Sequence, residues 1–100
     1  MEICHEMQKL REFLEAENIK WEDDSEENSD GEWWMCRTKI PFDGGVISII
    51  NGKGSYGGFV SKPEKNQGLL EIWCEELDFG PVGWQTAKDL KPIIREIIER

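Results

Sequence analysis

A glycine-rich segment has the residue types that fit ligand binding most directly. Residues 52–57 match the pattern G-x-G-x-x-G and follow a predicted strand, as a dinucleotide-binding fingerprint does. Residues 59–63 do not predict a helix, so the helix N-terminus that holds a pyrophosphate in such proteins is missing. Two interpretations remain: a hairpin loop that needs glycine conformations, or a loop that contacts a ligand closely.

On the ligand-binding interpretation, the loop amides hold an anion, with Lys53 or Lys62 beside a phosphate. Tyr56 and Trp73 supply rings that can stack on a base. The predicted ligand-binding residues are those of the loop and one tryptophan: Asn51, Gly52, Lys53, Gly54, Tyr56, Gly57, Gly58 and Trp73.

An acidic stretch at about 22–32 carries most of the net charge of −9. It has seven carboxylates and no base: Glu22, Asp23, Asp24, Glu26, Glu27, Asp30 and Glu32. The stretch does not supply the glycine and glutamate positions of an EF-hand. We expect a solvated loop whose neutralisation changes stability little, because exposed charges stabilise little. The alternative is a docking element for a basic partner, formed by the acids from Glu22 to Asp30 together with Trp33.

The cysteines and the single histidine do not form a recognisable reactive site. Zinc binding would require Cys4, His5, Cys36 and Cys74 to meet through long-range folding, and no C-x-x-C pair is present. A Cys–His nucleophilic pair lacks a third, orienting residue. We therefore predict no catalytic residue, no metal, no cofactor and no enzymatic activity. Three free thiols are typical of a reducing compartment such as the cytoplasm.

Charge and hydropathy limit the partners. The acidic stretch repels phosphate backbones, so direct nucleic-acid binding is not expected. No apolar run reaches the roughly 18 residues of a membrane span, and residues 1–5 do not resemble a signal peptide. Trp33 and Trp34 fall on opposite faces of one predicted strand, which indicates either a second packing layer or a binding surface. The sequence leaves open whether the protein forms a homo-oligomer.

Amphipathic periodicity predicts one helix at each end of the chain. The first is predicted at about 3–17, with Asn18 as its stop, and the second at 86–99. Thr86 and Asp89 resemble a capping box at the start of the second helix. Pro92 is expected to kink or restart that helix.

Period-two alternation predicts strands at 33–42, 46–50 and 69–75, the first two joined in a hairpin through Asp43-Gly44-Gly45. Short strands are also predicted at 19–21 and from 59, and a loop at 78–83. The order of elements predicts a single α+β domain over residues 1–100, in which N-terminal and C-terminal helices pack on a small antiparallel sheet.

Three sequence blocks give the chain a resemblance to short uncharacterised proteins of bacteriophages and prophages. The blocks are Ile50-Asn51-Gly52-x-Gly54-x-Tyr56-Gly57-Gly58, Asn66-Gln67-Gly68-Leu69-Leu70-Glu71-x-Trp73 and Gly83-Trp84-x-Thr86-Ala87-x-Asp89, and residues 5–11 add to them. The resemblance implies an accessory protein that acts in the cytoplasm of an infected or lysogenic bacterium. Such proteins often block a host defence.

These observations predict a non-enzymatic binding protein with two candidate modes of action. In the first, the protein antagonises a bacterial host defence by sequestering a small nucleotide-like signal at the glycine-rich loop. In the second, it is an acidic protein–protein inhibitor that mimics a nucleic acid and blocks a basic host protein.

Overall fold

A computed structural model describes residues 3–29, 34–52, 55, 68–75 and 80–99 of the chain. In this part of the chain there are two helices, α1 (His5–Ala16) and α2 (Ala87–Ile98). The strands are β1 (Glu22–Asp23), β2 (Glu26–Glu27), β3 (Trp34–Phe42), β4 (Gly45–Gly52), β5 (Leu70–Trp73) and β6 (Val82–Gln85).

The described strands form one antiparallel sheet in the order β1-β3-β4-β5-β6, and β2 pairs with β3 on the same side as β1. The predicted hairpin is confirmed: β3 pairs with β4, and Phe42 lies opposite Gly45 across the turn. Alternate residues of the central strands are buried on one face: Trp34, Cys36, Thr38, Ile40, Ile47, Ile49, Leu70 and Ile72.

Both helices cover this inner face with their apolar stripes. Buried α1 residues are Met7, Leu10, Phe13 and Leu14, and buried α2 residues are Ala87, Leu90, Ile94 and Ile97. The two stripes and the inner face of the sheet make one hydrophobic core. The predicted α+β fold is therefore confirmed, and the second face of the sheet carries neither helix.

The helix ends follow local sequence signals. Asn18 adopts a left-handed conformation (φ 56°) after α1, and the N–H of Ile19 bonds the Leu14 carbonyl at 2.9 Å. Thr86 and Asp89 form the predicted capping box. The helix α2 continues through Pro92, so the predicted restart was wrong. Pro92 lies on the exposed side of α2, where water can replace the N–H donor that proline lacks.

Three other predictions of local structure differ from the fold. Residues 19–21 do not form a strand, whereas two short strands lie inside the stretch predicted to be an acidic loop. The predicted loop at 78–83 ends in β6, which begins at Val82. The strand predicted from residue 59 lies outside the described residues.

Candidate functional site

The predicted ligand loop starts at the end of β4, where Asn51 and Gly52 are buried. A Cβ atom at Gly52 would lie 2.7 Å from Met35 Sδ and 2.8 Å from the Trp34 carbonyl oxygen. The Ser55 hydroxyl accepts a bond from the Gly52 N–H at 3.0 Å and donates one to the Gly52 carbonyl at 2.9 Å. Close strand approach therefore explains this glycine. Lys53, Gly54, Tyr56, Gly57, Gly58 and Lys62 lie outside the described residues.

Asn51 is a fully buried amide at the base of this loop. Its Nδ2 donates to the Leu69 carbonyl at 2.8 Å, which fixes the orientation of the amide. Its Oδ1 is buried and has no hydrogen-bond donor among the described residues. Trp73, the predicted stacking residue, pairs with Ser48 and is therefore about 13 Å along the sheet from Gly52.

Two parts of the acidic stretch, β1 and β2, lie at an edge of the sheet, so the prediction of a loop was wrong for these residues, although their acids are exposed. Glu22 pairs with Lys39 and Glu27 pairs with Trp34, so that β1 and β2 share one register along β3. The interruption lies at Ser25, whose hydroxyl accepts from the Arg37 N–H at 3.0 Å and donates to Asp23 Oδ1 at 2.5 Å. A side chain thus replaces one rung of the main-chain ladder. Asp30, Glu32 and Trp33 lie outside the described residues.

Arg11 lies on α1 and links this helix to the edge strand. Its side chain is 12% exposed, and Nε donates to Thr38 Oγ1 at 2.8 Å. Nη2 lies 3.2 Å from Asp23 Oδ1, 3.3 Å from the Arg37 carbonyl oxygen and 3.7 Å from Cys36 Sγ. The guanidinium therefore satisfies acceptors on two strands at once.

Two of the predicted partner-binding acids, Asp23 and Asp24, form ion pairs with other residues of the chain. The hydrogen bond from Ser25, followed by the charge of Arg11, lowers the pKa of Asp23. Asp24 Oδ2 lies 3.0 Å from both Lys39 Nζ and Arg37 Nη1, and these bonds lower its pKa. Glu22, Glu26 and Glu27 are exposed on the edge, where charged side chains oppose pairing with another strand.

Replacing Asp23 with asparagine should therefore lower the free energy of unfolding by about 1 kcal/mol at pH 7, a small value because the carboxylate is half exposed. Because its folded pKa lies below the ordinary value of 3.8, Asp23 stabilises the fold above that pH. This contribution disappears as the pH falls through the folded pKa. Thermal unfolding between pH 2 and 7 measures it, with Glu26→Gln as the control. Equal losses in both variants would contradict the ion-pair assignment.

The outer face of the sheet, which neither helix covers, carries three exposed apolar side chains. Among the described residues, the exposed large hydrophobics are Val46 (45% exposed), Trp73 (43%) and Trp84 (68%). Val46 and Trp73 point to this face because they alternate with the buried residues Ile47 and Ile72. We call Val46, Trp73 and Trp84 the tryptophan surface.

Trp84 lies where the pairing of β5 with β6 shifts register, as at a β-bulge. Val82 pairs with Ile72 and Gln85 with Leu70, so Gly83 and Trp84 together lie opposite the outer-face residue Glu71. Trp84 has φ 60°, an uncommon value for an aromatic residue that costs on the order of 1 kcal/mol. The exposure of Trp84 could not be predicted from alternation, because the bulge breaks the alternation of β6.

Two concavities lie near these elements. One of about 250 Å³ lies at the hairpin end of the tryptophan surface and is lined by Phe42, Val46, Trp73 and Glu75, among others. A larger one of about 620 Å³ lies between α1 and α2, with Phe13 in its lining. The larger concavity is the more open of the two, so it would enclose a small ligand less completely than the smaller one.

The cysteines are buried free thiols. Burial is the main cause that raises the pKa of Cys4 and of Cys36, which favours the unreactive thiol form. In the described part of the chain, no three His, Cys, Asp or Glu side chains are grouped so that they could hold a metal ion. Neither described helix has the length and apolar content needed to cross a bilayer.

Comparisons with protein-family models, curated proteins and solved structures give no match to this chain. The resemblance to bacteriophage proteins therefore stays a prediction. The case for a function depends on the described surfaces.

Proposed function

We propose that the protein is a non-enzymatic binding protein that occupies another protein through the tryptophan surface. The observation that supports this function is the exposure of Val46, Trp73 and Trp84 on the sheet face that the helices leave uncovered. Tryptophan is enriched among residues that dominate binding energy, because its ring buries a large area with few rotatable bonds. A strained, exposed aromatic residue at a bulge is also typical of positions that serve function.

The bacteriophage resemblance extends this proposal to antagonism of a bacterial host defence, and that extension depends on the sequence blocks alone. Nucleotide sequestration at the glycine-rich loop is the second candidate. The buried Oδ1 of Asn51, which has no hydrogen-bond donor among the described residues, lies at the base of the loop and favours it. On that alternative, nucleotides bind the purified protein in calorimetry and Tyr56→Ala removes the heat of binding.

Photo-crosslinking tests the protein-binding proposal. A benzophenone amino acid at Val46 or at Trp84 should crosslink a bacterial host protein, whereas the same group at Gln8, an exposed residue of α1, should not. The host protein found by crosslinking should bind the Trp73→Ala variant about 30-fold more weakly than it binds the natural chain, which is the effect of an interface hot spot. Circular dichroism checks that this variant folds. Equal crosslinking from Gln8, or unchanged binding of the host protein by folded Trp73→Ala, would overturn the proposal.

A further inference from the structure

The outer face of the sheet carries more carboxylates than cations among the described residues. Among the described residues, register places two cations on this face, Arg37 and Lys39, and both contact Asp24. The carboxylates on or beside the face outnumber them: Glu22, Asp24, Glu26, Glu71 and Glu75. Glu71 lies opposite the Trp84 bulge and Glu75 lines the groove beside Trp73. A partner that docks on this face therefore meets an excess of negative charge among the described residues.

The two exposed indole rings are open to cations from outside. Cation–ring contacts in the described part of the chain use other rings: Arg11 lies 4.9 Å from the centroid of Trp21, and Lys91 and Arg95 lie over Phe13. Trp73 and Trp84 have no such contact among the described residues. An arginine over an indole face gains cation–π attraction, and the surrounding carboxylates add to it.

We infer that the tryptophan surface binds a basic protein segment that presents arginine side chains beside an apolar residue. The apolar residue packs against Val46 and Trp73, while the guanidinium groups lie over the indoles and near Glu75. The net charge of −9 adds long-range attraction for such a partner. This inference rests on the proposed function and specifies the chemistry of the partner.

A nuclear magnetic resonance titration of the full chain tests the inference with three defined peptides. The first is acetyl-Arg-Leu-Arg-Leu-Arg-amide, and the other two replace its arginines with serine or with glutamate. The arginine peptide should shift the indole N–H signals of Trp73 and Trp84, which Trp73→Phe and Trp84→Phe assign. Its affinity should fall at least about 10-fold between roughly 0.05 M and 0.5 M salt, because screening weakens exposed charge pairs.

Matched charge variants locate the effect on this face. Glu26→Gln combined with Glu75→Gln should weaken the arginine peptide about 3- to 10-fold. Glu12→Gln combined with Glu99→Gln makes the same change in net charge at exposed positions on α1 and after α2, and it should have no comparable effect. All four positions are exposed, so we expect each variant to fold.

Equal binding of the serine or glutamate peptide would overturn the inference, as would signal changes confined to the helices or no binding of the arginine peptide. If the crosslinks from Val46 and Trp84 persist in any of these cases, the protein-binding function stands and the basic partner is wrong. If crosslinking fails as well, both proposals fall.

Discussion

Replacing Arg11 with methionine is expected to lower the free energy of unfolding by about 2–3 kcal/mol, a large share of the stability of a small domain. Methionine keeps an apolar stem in place and removes the guanidinium. Thr38 Oγ1, Asp23 Oδ1 and the Arg37 carbonyl then lose a charged donor in a half-buried position. Because these acceptors lie on two strands, the variant should also loosen β1 against β3.

Lys9→Met on the same helix is the control for Arg11→Met. Lys9 pairs with Glu6, but its side chain is 63% exposed, so its loss should cost well under about 1 kcal/mol. Urea unfolding measures both variants. Hydrogen exchange should show faster exchange of the Asp24 amide, which bonds the Arg37 carbonyl at 3.0 Å, in Arg11→Met alone. Similar costs for the two variants would contradict the role of Arg11 as a link between α1 and the edge strand.

The core of the fold could be predicted because its residues repeat with the periods of their elements. Alternation in β3 and β4, with glycines at the turn, determined both the hairpin and its buried face. The acidic edge strand could not be predicted in this way. Acidic residues have low strand propensity, and their pairing depends on Arg11, Arg37 and Lys39, which are distant in sequence or on another strand.

The candidate site, too, could be predicted only in part. The sequence singled out Trp73 as a stacking residue beside the glycine-rich loop, but its distance from Gly52 depends on the pairing of β4 with β5. Trp84 was not among the predicted site residues. It lies at a bulge that adds one residue to β6, and it has a positive φ. Neither feature can be read from the periodicity of the sequence. Gly52 matched a ligand-binding pattern, whereas the described contacts explain it by the close approach of β3.

Replacing Asn51 with aspartate should cost about 3–5 kcal/mol at pH 7, although the side chains have the same shape. Asn51 is fully buried, and aspartate places a carboxylate oxygen where Nδ2 donates to the Leu69 carbonyl. Burial disfavours the charged form, so the folded pKa of the new carboxyl rises above its unfolded value near 3.9.

The pH dependence of Asn51→Asp follows from the direction of that change in pKa. Below about pH 4 the carboxyl is protonated in both states, and its O–H can donate to the Leu69 carbonyl, so the variant should approach the stability of the natural chain. As the pH rises from the unfolded pKa to the folded pKa, this stability is lost, by about 1.4 kcal/mol for each pH unit between the two values. Asn28→Asp makes the same change at an exposed position and should leave stability nearly unchanged between pH 4 and 8. Urea unfolding at each pH measures the difference from the natural chain. A difference for Asn51→Asp that does not grow with pH, or that matches Asn28→Asp, would show that water reaches this amide and would remove the case for a buried acceptor at the base of the glycine-rich loop.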